Sequence, residues 1–374
     1  MIPLERRPLM KIRFLPFLLM LALSISSCTI NVNQPPVETP ASQSVPVLPS
    51  TQMSVTWASL NLTGRLVYLN GEAQGDVFSL QVRVLDLVTG EVRTIFDAPK
   101  YSWIYYITVS PDNKQVLMSH SPPPAENAAP DQDLYVLPVD GSKPPELLFT
   151  PPAREDDYIE ADWSPDGKYV YFTHVNFQIP PQDGQIYPLY EIYRMQLPNG
   201  QAEKVAEKAY WPRLSPDSCK ITYISVDLFS RVNKLYVADA DGSNAHEIIL
   251  EGSFIPDIKD APMFSADGKS ILFSANLPTQ SYQPNWLDKL MGVLVVKAHG
   301  NVISDWWSVP VEGGTITRLT NIQSMGLFAS LSPDKQHIAS YSNNGIFVMK
   351  PDGTEVTSIV PNPQNVPGTV WWIP

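Results

Sequence analysis

The sequence predicts an all-β fold, a six-bladed β-propeller of four-stranded antiparallel blades closed by the C-terminal strand. Three observations carry this. A Ser-Pro-Asp turn or a degenerate form of it recurs six times, about fifty residues apart. A second strand and, in most copies, a glycine turn follow downstream in each unit, and the chain ends on a half copy of the same turn.

Taken in order, the chain opens with Arg6, Arg7, Lys11 and Arg13 ahead of the apolar run Phe14 to Ile25. That run is short for a membrane-spanning helix, so residues 1–27 read as a signal peptide. Ile25-Ser26-Ser27-Cys28 resembles the bacterial lipobox, which implies that Cys28 is lipidated and becomes the N-terminus. The alternative is an ordinary signal peptide that leaves a free cysteine. In the sorting rule of enteric lipoproteins an aspartate after the cysteine retains the protein at the inner membrane. Thr29 stands there, which leaves the outer membrane open. The expected location is extracytoplasmic, anchored to a bacterial membrane. Residues 28–53 are rich in Pro, Ser and Thr, as in Asn33-Gln34-Pro35-Pro36, and read as an extended tether. The propeller is expected over 54–374.

The turn copies are Leu62-Thr63-Gly64-Arg65, Ser110-Pro111-Asp112-Asn113, Ser164-Pro165-Asp166-Gly167, Ser215-Pro216-Asp217-Ser218, Ser265-Ala266-Asp267-Gly268 and Ser332-Pro333-Asp334-Lys335. Proline presets φ at the second turn position, aspartate suits the third, and glycine follows without steric cost. A short apolar strand follows each, such as Tyr169 to Phe172 or Ile271 to Phe273, and a second lies downstream, such as Leu134 to Leu137 or Ile346 to Met349. Most second strands end in a glycine turn, as at Asp140-Gly141 and Asp352-Gly353, which is a hairpin signal. With the strand before each Ser-Pro-Asp turn, every unit has four antiparallel strands, the content of a propeller blade.

These residues resemble the WD40-like (PD40) repeat of the TolB-type propellers: Trp-Ser-Pro-Asp-Gly, a strand, Ile-Tyr, an Asp-Gly turn and a strand ending in Leu-Thr. Trp163 to Phe172 with Ile192-Tyr193, and Phe264 to Phe273 with Arg318-Leu319-Thr320, carry the likeness best, and it extends over about 54–374. It implies the propeller fold and leaves function open. TolB itself has an α/β domain ahead of its propeller, whereas here a tether occupies that place. The final Val370-Trp371-Trp372-Ile373-Pro374 resembles Ala161-Asp162-Trp163-Ser164-Pro165, so the last strand is expected to be the innermost strand of the first blade. The alternative is that Ser54 to Leu60 fills that slot.

In this topology the tight turns lie on one rim, and the long loops Ser119 to Asp133, Val175 to Glu191 and Ala275 to Asp305 crowd the other. The blade-crossing segments Pro151 to Tyr158 and Glu251 to Asp260 join them there. Propellers commonly bind at such a mouth, against the plain reading of tolerated surface insertions. The candidate binding residues are therefore Glu155, Asp156, Asp157, Asp257 and Asp260, with Tyr282 and Trp286 in the largest insertion. Glu160 belongs to the same run of carboxylates. Such groups could ligate a cation or serve as acid and base, though no calcium-loop spacing is present and solvated acidic loops are the plain alternative.

Other chemistry finds no pattern. His120, His174, His246, His299 and His337 are scattered, and no nucleophile elbow or phosphate-binding glycine loop occurs. No cofactor is expected. With 26 basic against 38 acidic residues and a net charge of −12, a broad basic face is not expected and no nucleic acid partner is expected. Cys219 is the one cysteine besides Cys28, so no disulfide framework holds the body. The resulting expectation is a monomeric, lipid-anchored binding or scaffold module for a protein, glycan or envelope component. An extracellular carbohydrate- or peptide-acting enzyme with a loop-built carboxylate site is the alternative, and a structural envelope spacer is a third.

Overall fold

The computed structural model describes residues 57–74, 77–123, 132–152, 156–178, 187–198, 200–226, 233–277, 302–361 and 368–374. The signal segment, Cys28, the tether, Glu155, Tyr282 and Trp286 lie outside the described residues.

Six four-stranded antiparallel sheets follow one another along the chain. Blade 1 contains β1 (Arg65–Gln74), β2 (Val77–Asp86) and β3 (Val92–Asp97). Blade 2 is β4 (Trp103–Val109), β5 (Gln115–Ser121), β6 (Asp133–Pro138) and β7 (Glu146–Phe149). Blade 3 is β8 (Asp157–Trp163), β9 (Tyr169–Gln178), β10 (Tyr187–Gln196) and β11 (Ala202–Glu207). Blade 4 is β12 (Ala209–Leu214), β13 (Lys220–Val226), β14 (Asn233–Asp239) and β15 (His246–Glu247). After β16 (Leu250–Glu251), blade 5 takes β17 (Lys259–Phe264), β18 (Ser270–Asn276) and β19 (Ser304–Pro310). The short β20 (Gly314–Thr315) pairs in parallel with β16, tying blades 4 and 5 at their outer edge, and β21 (Thr317–Arg318) completes blade 5. Blade 6 is β22 (Phe328–Leu331), β23 (Ile338–Ser342), β24 (Gly345–Met349) and β25 (Thr357–Pro361).

The last strand, β26 (Val370–Ile373), returns to blade 1 and pairs with β1 through Leu66↔Trp372 and Val67↔Trp371. The expected closure is therefore present, and Trp57–Leu60 forms a short 3-10 helix instead of an inner strand. Three bonds pin the joint: Trp372 Nε1 donates to the Thr63 carbonyl at 3.0 Å, Trp372 N–H to Ser330 Oγ at 3.0 Å, and Arg65 Nε to the Pro374 carbonyl at 3.1 Å. Gly64 permits this approach, since a Cβ there would sit 2.3 Å from the Ile373 carbonyl oxygen at a φ of +85°. Trp372 also packs with Leu66, Tyr68, Ala339 and Tyr341, so one apolar cluster spans blades 6 and 1.

The repeated turns work as their chemistry requires. Ser164 Oγ donates to Asp166 Oδ1 at 2.7 Å and accepts the Tyr169 N–H at 2.9 Å, while Asp166 accepts the Lys168 N–H at 3.1 Å. The same serine–aspartate bond recurs at Ser110, Ser215, Ser265 and Ser332. The Ser164 hydroxyl and then Lys168 hold the Asp166 carboxyl down at about 2. The residue after each aspartate is left-handed: Asn113, Gly167, Ser218, Gly268 and Lys335 have φ between 60° and 71°. Glycine is thus optional at a position where the side-chain bonds over-determine the turn.

The structure lengthens one hairpin beyond expectation. Within the segment expected as a loop, Val175 to Gln178 belong to β9 and Tyr187 to Glu191 to β10.

Candidate functional site

The six innermost strands supply two rings of side chains around the axis. Two residues before each turn serine stand Thr108, Asp162, Arg213, Met263 and Ser330, and Trp371 fills the slot in β26 by register. Four residues before the serine stand Tyr106, Glu160, Trp211, Ala261 and Phe328, with Thr369 in the sixth place.

The deeper ring closes the axis. Tyr106, Trp211 and Phe328 come from blades 2, 4 and 6, and their ring centroids are 6.2, 6.0 and 5.1 Å apart. Rings from three alternate blades can touch one another only by meeting on the axis. Local backbone helps, because the inner strands carry register shifts there and left-handed φ at Glu160, Trp211 and Ala261. Glu160 Oε2 accepts the Trp211 N–H at 2.9 Å and the Thr173 hydroxyl at 2.8 Å, holding the bulge that aims the indole inward.

The outer ring forms a cup that opens among the repeated turns, with a volume of about 330 Å³. Its hub is Arg213, which is only 7% exposed. Its Nη2 donates to the Ala329 carbonyl of blade 6 at 3.0 Å, its Nη1 lies 3.3 Å from Asp162 Oδ2 of blade 3, and its Cζ sits 4.8 Å over the Trp371 ring of β26. One guanidinium therefore touches three other blades. Nη1 makes no aligned hydrogen bond within the described residues. Burial raises the Asp162 pKa, against the pull of Arg213. Burial also opposes the Arg213 charge, but Tyr106 and Asp162 more than offset it and the guanidinium is held charged. Above the pair the wall is apolar, with Met263 and Trp371, and Pro111, Pro165, Pro216 and Pro333 of the turns form an exposed lip.

Of the residues expected from sequence, Asp156, Asp157, Asp257 and Asp260 are described and each has its own setting. Asp156 is buried, its Oδ2 2.8 Å from His174 Nε2, in a pocket of Tyr158 and Tyr193. Asp157 accepts the backbone N–H of Gln132 at 2.9 Å and so pins the preceding loop. Asp257 is exposed on its crossing segment, and Asp260 is half-buried within β17. Its charge, with that of Glu160, adds to burial in pushing Tyr105 and Tyr210 well above the ordinary phenol range. Among the described residues no three metal-ligating side chains converge, so no cation site emerges from these carboxylates. Sequence reading missed Arg213 and Trp371. The available signal was a charged residue two places before the turn serine in two consecutive copies, aspartate in one and arginine in the next.

No protein-family model matches the chain, and no curated protein matches it in sequence. Solved structures do match in fold. The putative TolB from Agrobacterium tumefaciens is 18% identical with a TM-score of 0.50, over 84% of this chain and 100% of that one. TolB from Acinetobacter baumannii is 17% identical with a TM-score of 0.51, over 82% of this chain and 66% of its own. Hydrazine synthase from Kuenenia stuttgartiensis is 12% identical with a TM-score of 0.55, over 84% of this chain and 47% of that one. At these identities the likeness is one of fold.

Proposed function

We propose that this chain is an extracytoplasmic binding module, held at a bacterial membrane by a lipid on Cys28, whose rigid propeller captures an envelope component in its axial cup. The cup carries the reading. A buried charge pair at its base and an apolar wall above it form the mixed lining of a ligand site, and the closed ring of blades keeps that lining preorganised. The basic segment, apolar run and Cys28 support export and anchoring, and the tether would give the disc reach from the lipid surface. One fold can carry unrelated sites, so the assignment rests on the cup and not on the fold.

Two measurements test this. Cys28→Ser should move the protein from the membrane fraction to the soluble fraction; unchanged lipid labelling would refute the anchor. Crosslinking and affinity recovery from the native envelope should capture a component with the wild type and much less of it with Arg213→Lys, which keeps the charge but loses the planar fork. Equal recovery from a folded Arg213→Lys protein would remove the cup from the reading.

A further inference from the structure

We propose that the cup takes the terminal ring of a neutral saccharide, an inference that rests on the cup being the ligand site. Three properties of the cup select this chemistry.

The first is charge. Asp162 and Arg213 are both buried and cancel one another, and the other charged side chain of the lining, Lys335, is exposed in the turn lip and stays solvated. A charged ligand group inserted beside them would either remain uncompensated or break the pair, each costly at such depth. A neutral ligand leaves the pair intact.

The second is hydrogen-bonding capacity. Arg213 Nη1 is a buried donor without an aligned acceptor, and Asp162 Oδ2 is an acceptor 3.3 Å away. A single hydroxyl can accept from Nη1 while donating to Oδ2. A carboxylate can only accept and an ammonium can only donate, so neither satisfies both partners. Two adjacent hydroxyls on one ring would engage the guanidinium and the carboxylate side by side.

The third is shape. Met263 and Trp371 give the wall an apolar surface, four turn prolines stand at the rim, and the Tyr106, Trp211 and Phe328 rings meet on the axis two residues further along the same inner strands. A pyranose presents an apolar face of C–H groups and a polar edge of hydroxyls, which matches wall and base together. A cup of about 330 Å³ with three rings across the axis beyond it admits the end of a chain and not its middle.

The test uses detergent-extracted full-length protein on an array of neutral and acidic oligosaccharides with free non-reducing ends. Asp162→Asn and Trp371→Phe are run alongside, each checked for an unchanged melting profile. The expected result is retention of neutral glycans, reduced at least about tenfold by Asp162→Asn because a charged acceptor is replaced by a neutral amide that can also turn its donor toward the ligand. Retention of acidic glycans alone, or neutral retention indifferent to Asp162→Asn, overturns the assignment. An empty array with envelope capture still dependent on Arg213 sinks the saccharide inference and leaves the binding module standing. An empty array with no Arg213-dependent capture sinks both.

Discussion

Glu160 accepts the backbone N–H of Trp211 across the joint between blades 3 and 4, a 2.9 Å bond in which the carboxylate is 1% exposed and the indole 2%. Both residues have left-handed φ, 53° and 65°, so this bond fixes two strained inner strands at once.

Glu160→Ala should therefore destabilise the protein by about 2–4 kcal/mol, since it strips buried donors of a charged acceptor. Glu160→Gln, which keeps a carbonyl oxygen, should cost less than half of that. Urea denaturation measures both, and an alanine variant within about 0.5 kcal/mol of wild type would show the bond to be dispensable.

Closure is testable at Trp372. Its indole is 5% exposed, packs across blades 6 and 1, and donates to Thr63. Trp372→Ala should cost about 3–5 kcal/mol. Removing residues 370–374 should abolish a single cooperative melting transition, because blade 1 then loses its inner strand. Calorimetry that still gave one transition at the wild-type temperature would refute the closure argument.

Ser218 holds the left-handed turn position that Gly167 and Gly268 hold in neighbouring copies, at a φ of 62°. Ser218→Gly should raise stability by roughly 1 kcal/mol by removing the Cβ strain, while Gly167→Ala should lower it by a similar amount. Thermal melts of the two variants should thus shift in opposite directions; a shared direction would mean the turn is limited by something other than backbone strain.

Lys259 gives a pH prediction. It is 5% exposed, its Nζ donates to the Asn233 carbonyl at 3.0 Å, and burial lowers its pKa from 10.5 to about 8 against the opposing pull of Asp257, Glu247 and Asp260. Between those two values the unfolded chain binds the proton more tightly than the folded one, so stability rises with pH across that window. Relative to Lys259→Met, which does not titrate, wild type should gain on the order of 2 kcal/mol between about pH 7 and about pH 10. Parallel stability curves for the two proteins would rule out the burial effect.

How much of this was readable beforehand depended on distance along the chain. The blades and the closure were legible because Ser-Pro-Asp turns are local and the terminal Trp372-Ile373-Pro374 repeats Trp163-Ser164-Pro165 within three residues. The cup was not, because Asp162, Arg213 and Trp371 come from different blades and meet only through a shared place relative to the turn. The setting of Asp156 was hidden for a related reason. As a sequence it sits in an acidic run, but the pairing of β8 with β9 brings His174 to it and takes it out of solvent. Composition identifies a carboxylate; it cannot say which partner the fold will bury it against.

The triangle of Tyr106, Trp211 and Phe328 has a consequence for traffic along the axis. A propeller with an open bore is a conduit, and a ligand entering from one side competes with one entering from the other. Here three rings in mutual contact stand across the bore, so whatever occupies the cup beside Arg213 meets an aromatic floor and does not thread through toward Tyr105 and Asp260.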